Sequence, residues 1–169
     1  MKTASPRDAF PAPEHDHVAC RDATFHRARE AFDARGLKLT DLRAQVFGEI
    51  AASHHAIGAY DIIDRLARQG TRIAPISVYR AIDVLLAAGV VHRLESRNAF
   101  FACHASHNAD RQHVILACAT CGIVAEIAAG AIFDAIDTAA RSARFEPQTR
   151  MVEVSGLCAH CRETGASAP

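Results

Sequence analysis

The sequence has no net charge and few aromatic residues. Lys and Arg number 19, Asp and Glu number 19, and aromatic side chains make up only 6% of the 169 residues. Half of the chain is hydrophobic. This apolar share and the balanced charge exclude an intrinsically disordered protein, and the length is sufficient for a core without disulfides. We therefore expect a folded protein of one or two small domains.

The chain also lacks a run that would serve as a secretory signal or membrane anchor. Its first twenty residues contain three prolines and alternating charges, so we interpret residues 1–18 as a disordered tail. The weakly charged stretch 114–133 is interrupted by a Cys-x-x-Cys-Gly turn, Glu126 and Gly130, which favours two short strands and a helix start over a membrane span. We expect a cytoplasmic protein without a membrane partner, in a compartment where paired cysteines bind metals more often than they form disulfides.

Hydrophobic periodicity predicts an N-terminal unit of helices followed by a hairpin. The helices are expected over about residues 22–35, from Thr40 onwards, over 60–69 and from Pro75 to Gly89, and the hairpin over 90–95 and 99–103. This order is typical of a winged helix-turn-helix domain, which we assign to residues 19–104. The remaining residues, 105–169, are expected to form a second unit with both helix and strand, so the predicted fold class is α+β.

The predicted helix-turn-helix carries an uninterrupted positive charge. Between Arg65 and Ile82 lie four arginines and no carboxylate, which suits contact with DNA phosphates. An outward-facing Arg80 could reach guanine edges, and Tyr79 could touch thymine methyl groups or phosphate. A solvated helix face is the ordinary alternative, but the preceding helix, the turn and the wing all favour DNA. The candidate DNA-binding residues are Ser77, Tyr79, Arg80, Arg65, Arg72, Arg43 and Tyr60.

Two Cys-x-x-Cys pairs, at Cys118/Cys121 and Cys158/Cys161, are the most specific motif in the sequence. Four thiolates in this pattern match the ligands of a tetrahedral Zn²⁺ ion. The interval between the pairs exceeds the ~15–20 residues of a simple zinc ribbon, and a helix over about 130–143 and a strand near 150–154 are expected to fill it. The alternatives are buried or disulfide-linked cysteines and a redox pair. A zinc deaminase is excluded, because no proline directly precedes either pair.

A second group of possible metal ligands lies at the wing, in the linker and on the strand after the first cysteine pair. It consists of His92, Cys103, His104, His107, His113 and Glu126. A thiolate with two imidazoles and a carboxylate suits Zn²⁺, whereas iron or manganese sensors are expected to use only nitrogen and oxygen ligands. For any single histidine in this group, an ordinary solvated or core residue is the alternative.

These motifs together resemble the ferric uptake regulator family, over about residues 20–162, and most closely its zinc uptake regulator branch. The resemblance is carried by Thr40-x-x-Arg43, Ile76-Ser-Val-Tyr-Arg-Ala-Ile-Asp83-Val-Leu-Leu, Val91-His-Arg-Leu-Glu-Ser96, Cys103-His104, Cys118-x-x-Cys121-Gly122 and Gly156-Leu-Cys158-x-x-Cys161. It implies a winged-helix DNA-binding domain, an α/β dimerisation domain, a structural zinc on the four cysteines and a regulatory zinc at the hinge. By the same resemblance, the regulatory ligands would be His92, Cys103, His113 (or alternatively His107) and Glu126.

One departure from the family pattern bears on which metal is sensed. Before the first cysteine pair the family commonly shows a run of histidines, and here only His113 remains, with Ile115 at the second place. This departure argues against the hypothesis that the protein senses iron or peroxide. We predict a homodimeric, zinc-responsive repressor of zinc uptake genes that binds operator DNA, holds two zinc ions per chain, and has neither a small-molecule substrate nor an enzymatic activity. The alternatives are a sensor of another metal or of peroxide, and a zinc-dependent hydrolase with its catalytic zinc at His92 and Cys103.

Overall fold

The computed structural model describes residues 9–11, 16–103 and 112–165. The chain divides into two compact units, one over residues 11–106 and one that contains residues 107–169. Across the described ranges, no helix is long and apolar enough to cross a membrane.

The N-terminal unit consists of four helices and a small antiparallel sheet. Its helices are α1 (His17–Asp33), α2 (Asp41–Ile50), α3 (Ala59–Arg68) and α4 (Pro75–Ala87). Its strands are β1 (Ile57–Gly58), β2 (Val91–Leu94) and β3 (Ala99–Ala102), in the spatial order β1-β3-β2. The helices and hairpin follow the predicted order, because each is specified by local periodicity and by turn residues such as Gly89, which has a φ of 70°.

The start of α1 differs from the prediction. The helix begins at His17 rather than near residue 22, because the Asp16 carboxylate accepts hydrogen bonds from the backbone N–H groups of Val18 (3.0 Å) and Ala19 (3.1 Å). Such an N-cap satisfies donors that the first turn would otherwise leave without partners. Residues 17–18, which the sequence placed in a tail, are therefore helical; residues 1–8 and 12–15 of that tail lie outside the described residues.

A single apolar core holds α1 to α4 together. Phe32, Phe47, Ile62 and Leu85, one from each helix, are almost completely buried in it. Truncating a buried Phe, Ile or Leu to Ala typically costs about 2–5 kcal/mol of stability, so these four side chains hold the helices in their arrangement.

The wing is a hairpin of β2 and β3 with a sharply turned tip. A 3₁₀ turn over Glu95–Arg97 leads to Asn98, whose φ of 47° lies in the left-handed region. Asn tolerates this conformation better than most residues, and its Oδ1 accepts a hydrogen bond from Arg93 Nη2 at 2.7 Å. The Asn98 side chain thus links the tip of the wing to Arg93 on β2.

The C-terminal unit is a three-stranded sheet with two helices. Its elements are β4 (His113–Cys118), β5 (Val124–Ala128), α5 (Gly130–Ser142), β6 (Glu153–Gly156) and α6 (Ala159–Thr164). The central strand β4 is antiparallel to β5 and parallel to β6. The last strand begins at Glu153 rather than near 150, because its bonding to β4 starts at Val152, whose carbonyl accepts a hydrogen bond from Ile115 N at 2.9 Å. Arg150, just before the strand, binds Asp137 on α5 through its side chain.

Candidate metal centres and DNA-binding surface

The four cysteines of the two Cys-x-x-Cys pairs meet in the C-terminal unit. Cys118 ends β4, and Cys158 and Cys161 lie at the start of α6 and within it. The parallel register places Cys118 opposite Gly156, two residues before Cys158, so the strand pairing brings the two pairs side by side. All four sulfur atoms lie within 4.8 Å of one another.

The spacing of these sulfurs fits a tetrahedral zinc ion. Cys121 Sγ and Cys158 Sγ are 3.8 Å apart, and a tetrahedron with Zn–S bonds of ~2.3 Å has S···S edges of about 3.8 Å. Three of the four cysteines are buried, which also suits a structural centre closed to solvent. The donor set and its geometry therefore fit zinc.

Backbone donors prepare one of the four thiols for metal binding. Burial by itself would raise the pKa of Cys118, but hydrogen bonds from the backbone of Cys158, Cys121 and Thr120 and from the Cys121 thiol lower it to about 6. One of these donors, Cys158 N, lies 3.4 Å from Cys118 Sγ. These hydrogen bonds favour the thiolate form of Cys118, whereas burial and neighbouring thiols raise the pKa of Cys161 to about 12.

Phe10 lies against the four-cysteine centre. Its side chain and that of Ile123 pack on the buried cysteines of this cluster. The sequence assigned Phe10 to a disordered tail, because the prolines and charges around it conceal a single apolar contact. An apolar cover of this kind limits solvent access to metal-bound thiolates.

Two of the predicted regulatory ligands lie on one face of the wing sheet. His92 is directly opposite Phe101, and Cys103 is two residues beyond Phe101, so all three side chains project to the same side. The His92 and Phe101 rings are 5.7 Å apart, and Cys103, which is buried, is held by a 3.0 Å hydrogen bond from its N–H to Val90 O. His92 and Cys103 are therefore diagonal neighbours in the N-terminal unit.

The other two predicted ligands lie together on the sheet of the C-terminal unit. Ile115 is opposite Glu126, and His113 is two residues before Ile115 on the same strand, so His113 and Glu126 project from one face as diagonal neighbours. Burial lowers the pKa of His113, which keeps its ring neutral, the form that binds metals. The alternate ligand His107, together with His104, falls outside the described residues.

The predicted DNA-binding side chains are mostly on the surface of α3, α4 and their connection. Arg80, Arg65, Arg72 and Tyr60 are exposed, whereas Ser77 is half-buried. Tyr79, on α4, was expected to face outward, but it is half-buried and packs against the core of the N-terminal unit. Arg43 donates a hydrogen bond from Nη1 to the carbonyl of Lys38, so one nitrogen of its guanidinium binds the segment before α2.

One cluster of metal-binding residue types was missed by sequence reasoning. His17, Cys20 and His54 come together in the N-terminal unit. Part of the signal was present, since His17 and Cys20 have the i, i+3 spacing of neighbours on a helix. The assignment of residues 1–18 to a tail hid it.

Fold and site together define a winged-helix protein whose second unit brings four cysteines together in a geometry that fits a metal ion. The chain belongs to the ferric uptake regulator family, whose model matches residues 34–155. This confirms the predicted family and the α+β fold with an N-terminal winged helix.

The similar proteins include two named "Zinc uptake regulation protein", from Escherichia coli (strain K12) and Shigella flexneri. Each is 35% identical over 132 residues, which cover 78% of this chain and 77% of the relative. A solved zinc uptake regulator complexed with zinc and DNA matches with a TM-score of 0.79 and 32% identity, over 86% of this chain and 97% of that one. Holo XcZur matches with a TM-score of 0.73 and 35% identity, over 88% and 99%.

Proposed function

We propose that this protein is a zinc-responsive transcriptional repressor that acts in the cytoplasm, binds operator DNA as a homodimer and controls zinc uptake genes. The observation that carries the proposal is the position of His92 and Cys103 on the wing of a winged-helix unit. Ligands at this position belong to the DNA-binding unit itself, so binding of a metal there depends on the orientation of that unit. The names of the similar proteins, zinc uptake regulators, support the choice of metal and role.

Two zinc ions per chain are proposed for these functions. Cys118, Cys121, Cys158 and Cys161 would hold the structural ion, and its contribution is folding free energy of the C-terminal unit. His92 and Cys103 from one unit, with His113 and Glu126 from the other, would hold the regulatory ion. When bound, zinc supplies a positive centre that four ligands can share and that favours thiolate and imidazole over harder donors.

Ligands drawn from both units make metal affinity depend on their relative orientation. By linkage, the orientation that binds metal better becomes more populated when metal is present. A ~100-fold difference in affinity between two orientations corresponds to about 2.7 kcal/mol of bias. This is sufficient to move a balanced equilibrium almost entirely to the orientation in which the two winged helices of a dimer fit successive operator half-sites.

The electrostatics of the helix-turn-helix support DNA as the partner. Arg65, Arg72 and Arg80 are exposed, and between Arg65 and Ile82 no carboxylate reduces their charge. Arg80 on α4 is the proposed base-reading residue, while the other two lie nearer to phosphates. Ser77 and Tyr79, although half-buried, remain candidates for contacts from the start of α4. Arg43 on α2 and Tyr60 on α3 remain candidates as well.

Exposed apolar side chains on the C-terminal unit support dimerisation. Phe145 is 64% exposed, Met151 53%, Val154 49% and Leu157 54%, and Val154 lies on β6, an edge strand of the sheet. Large exposed apolar side chains, one of them on an edge strand, are typical of a surface that pairs with another chain. We therefore assign homodimerisation to this unit.

The decisive experiment compares wild type and Cys103→Ser for zinc content and for operator binding across a zinc titration. The variant should lose one zinc equivalent and its zinc-dependent operator binding, while it remains a folded dimer. Repeating the titration with Mn²⁺, Fe²⁺ and peroxide distinguishes a zinc sensor from a sensor of another metal or of peroxide. A switch that responds equally to manganese or iron would contradict the zinc assignment.

A further inference from the structure

We propose that His17, Cys20 and His54 form an additional zinc site within the winged-helix unit. None of the three belongs to the four-cysteine centre or to the predicted regulatory ligands. His17 and Cys20 lie on the first turn of α1, and His54 follows the end of α2. The site would therefore tie the start of the first helix to the segment that leads into the helix-turn-helix.

The distances among the three side chains match a metal centre. One nitrogen of each histidine and the Cys20 sulfur lie within 4.8 Å of one another. Cys20 Sγ and His54 Nε2 are 3.7 Å apart, and tetrahedral zinc with Zn–S of ~2.3 Å and Zn–N of ~2.0–2.1 Å separates these ligands by about 3.5 Å. A small inward shift of side chains would thus complete the geometry.

A backbone carbonyl fixes the tautomer of His17. Its Nε2 lies 2.6 Å from the carbonyl oxygen of Ala52, and because a carbonyl only accepts, Nε2 must carry the proton. In the neutral ring the lone pair is then on Nδ1, which is buried. Metal-binding histidines commonly donate their second nitrogen to a carbonyl or carboxylate in this way, which orients the ring and increases its basicity.

The surroundings of His54 also favour a ligand. His54 is only 8% exposed, and its ring meets that of His17 edge-on with centroids 5.2 Å apart. Its neighbour His55 is exposed. Two adjacent histidines therefore differ in burial, and the buried one faces the thiol and the second imidazole.

The chemistry of the donors selects the ion. A thiolate excludes Mg²⁺ and Ca²⁺, and two imidazoles with one thiolate suit zinc. Three protein ligands leave a fourth position for water or another donor. Because all three ligands belong to one unit, this site would bind zinc whatever the orientation of the second unit, and it would stabilise α1 rather than act as the switch.

The test measures bound zinc per full-length chain after exhaustive dialysis against a weak chelator, for wild type, Cys20→Ser and the matched control His55→Gln. Cys20→Ser should lose one equivalent relative to wild type, and His55→Gln should lose none. Co²⁺ loading supplies a second readout, since the same substitution should remove part of the thiolate–cobalt absorption. Circular dichroism checks that each variant is folded, and Cys20→Ala repeats the test if the serine variant is not.

Equal zinc content in wild type and in a folded Cys20 variant would overturn the proposal. The proposal would also be overturned if substitutions at Cys103 and Cys118 together removed all of the zinc that the wild-type chain binds. Neither result bears on operator binding, so the two proposals fail separately. If Cu⁺ binds this site and Zn²⁺ does not, the assignment to zinc is also wrong.

Discussion

Cys121 Sγ and Cys158 Sγ lie 3.8 Å apart although 37 positions separate the two residues. The pairing of β6 with β4 and the cluster of four cysteines bring the two ends of that interval together. We expect Cys118→Ser or Cys161→Ser to release the most tightly held zinc and to unfold or dissociate the C-terminal unit, because structural zinc supplies folding free energy. Zinc analysis and analytical ultracentrifugation measure both effects.

The matched control for that prediction is His160→Ala. His160 lies between Cys158 and Cys161 and is exposed, so its loss should change neither zinc content nor oligomeric state. A Cys161→Ser dimer that still retains its tightest zinc would show that the four cysteines do not form the folding centre.

Cys103→Ser tests the proposed switch. The thiol is buried directly after β3, and serine replaces it with little change of volume, so the fold and the four-cysteine zinc should remain. Zinc-dependent operator binding, measured by fluorescence anisotropy, should be lost because a hydroxyl is a poor zinc ligand at neutral pH. An unshifted zinc dependence would place the sensor elsewhere.

His113→Ala and His107→Ala identify the histidine that completes the regulatory site. His113 shares a sheet face with Glu126, so we expect His113→Ala to weaken zinc-dependent operator binding and His107→Ala to be nearly silent. Glu126→Ala should act in the same direction as His113→Ala but less severely, since water can occupy the position of one carboxylate. Reversed results for the two histidines would assign the ligand to His107.

Arg80→Ala tests base reading by α4. The side chain is exposed on the helix-turn-helix, and a lost bidentate contact to guanine costs about 1–3 kcal/mol on the specific operator. Arg72→Ala should instead weaken binding to all sequences and reduce the salt slope by about one unit. Competition between operator and random DNA separates the two, and intact discrimination in Arg80→Ala would mean that another residue reads the bases.

Asn98→Ala tests the tip of the wing. Alanine loses the hydrogen bond from Arg93 and tolerates the left-handed conformation poorly, so unfolding should become easier by about 1–2 kcal/mol. Asn98→Gly, which keeps only the conformation, should cost less than Asn98→Ala. Urea unfolding followed by circular dichroism gives both values, and equal losses would show that backbone conformation is not the cause.

Much of the fold could be predicted because the relevant signals are local. The order of the helices and the hairpin of the wing follow from periodicity and from turn residues such as Gly89. The spacing of the two cysteine pairs is by itself enough to predict that they lie together. Two features depended on residues far apart or on isolated contacts. The partner of His17 and Cys20 is His54, which lies 34 positions beyond Cys20, and no periodic pattern links them. Tyr79 was placed on the outer face of α4, yet it packs against the core and is partly buried.

The parallel pairing of β4 with β6 has a consequence for synthesis of the chain. Cys118 and Cys121 leave the ribosome well before Cys158, which follows Cys118 by 40 residues. Until β6 has formed its ladder with β4, a nascent chain offers zinc only two of the four sulfurs, and such a half-site exchanges its ion readily. Tight binding of the proposed structural zinc thus requires a complete C-terminal unit, and we expect fragments interrupted earlier to remain unfolded there and open to proteolysis.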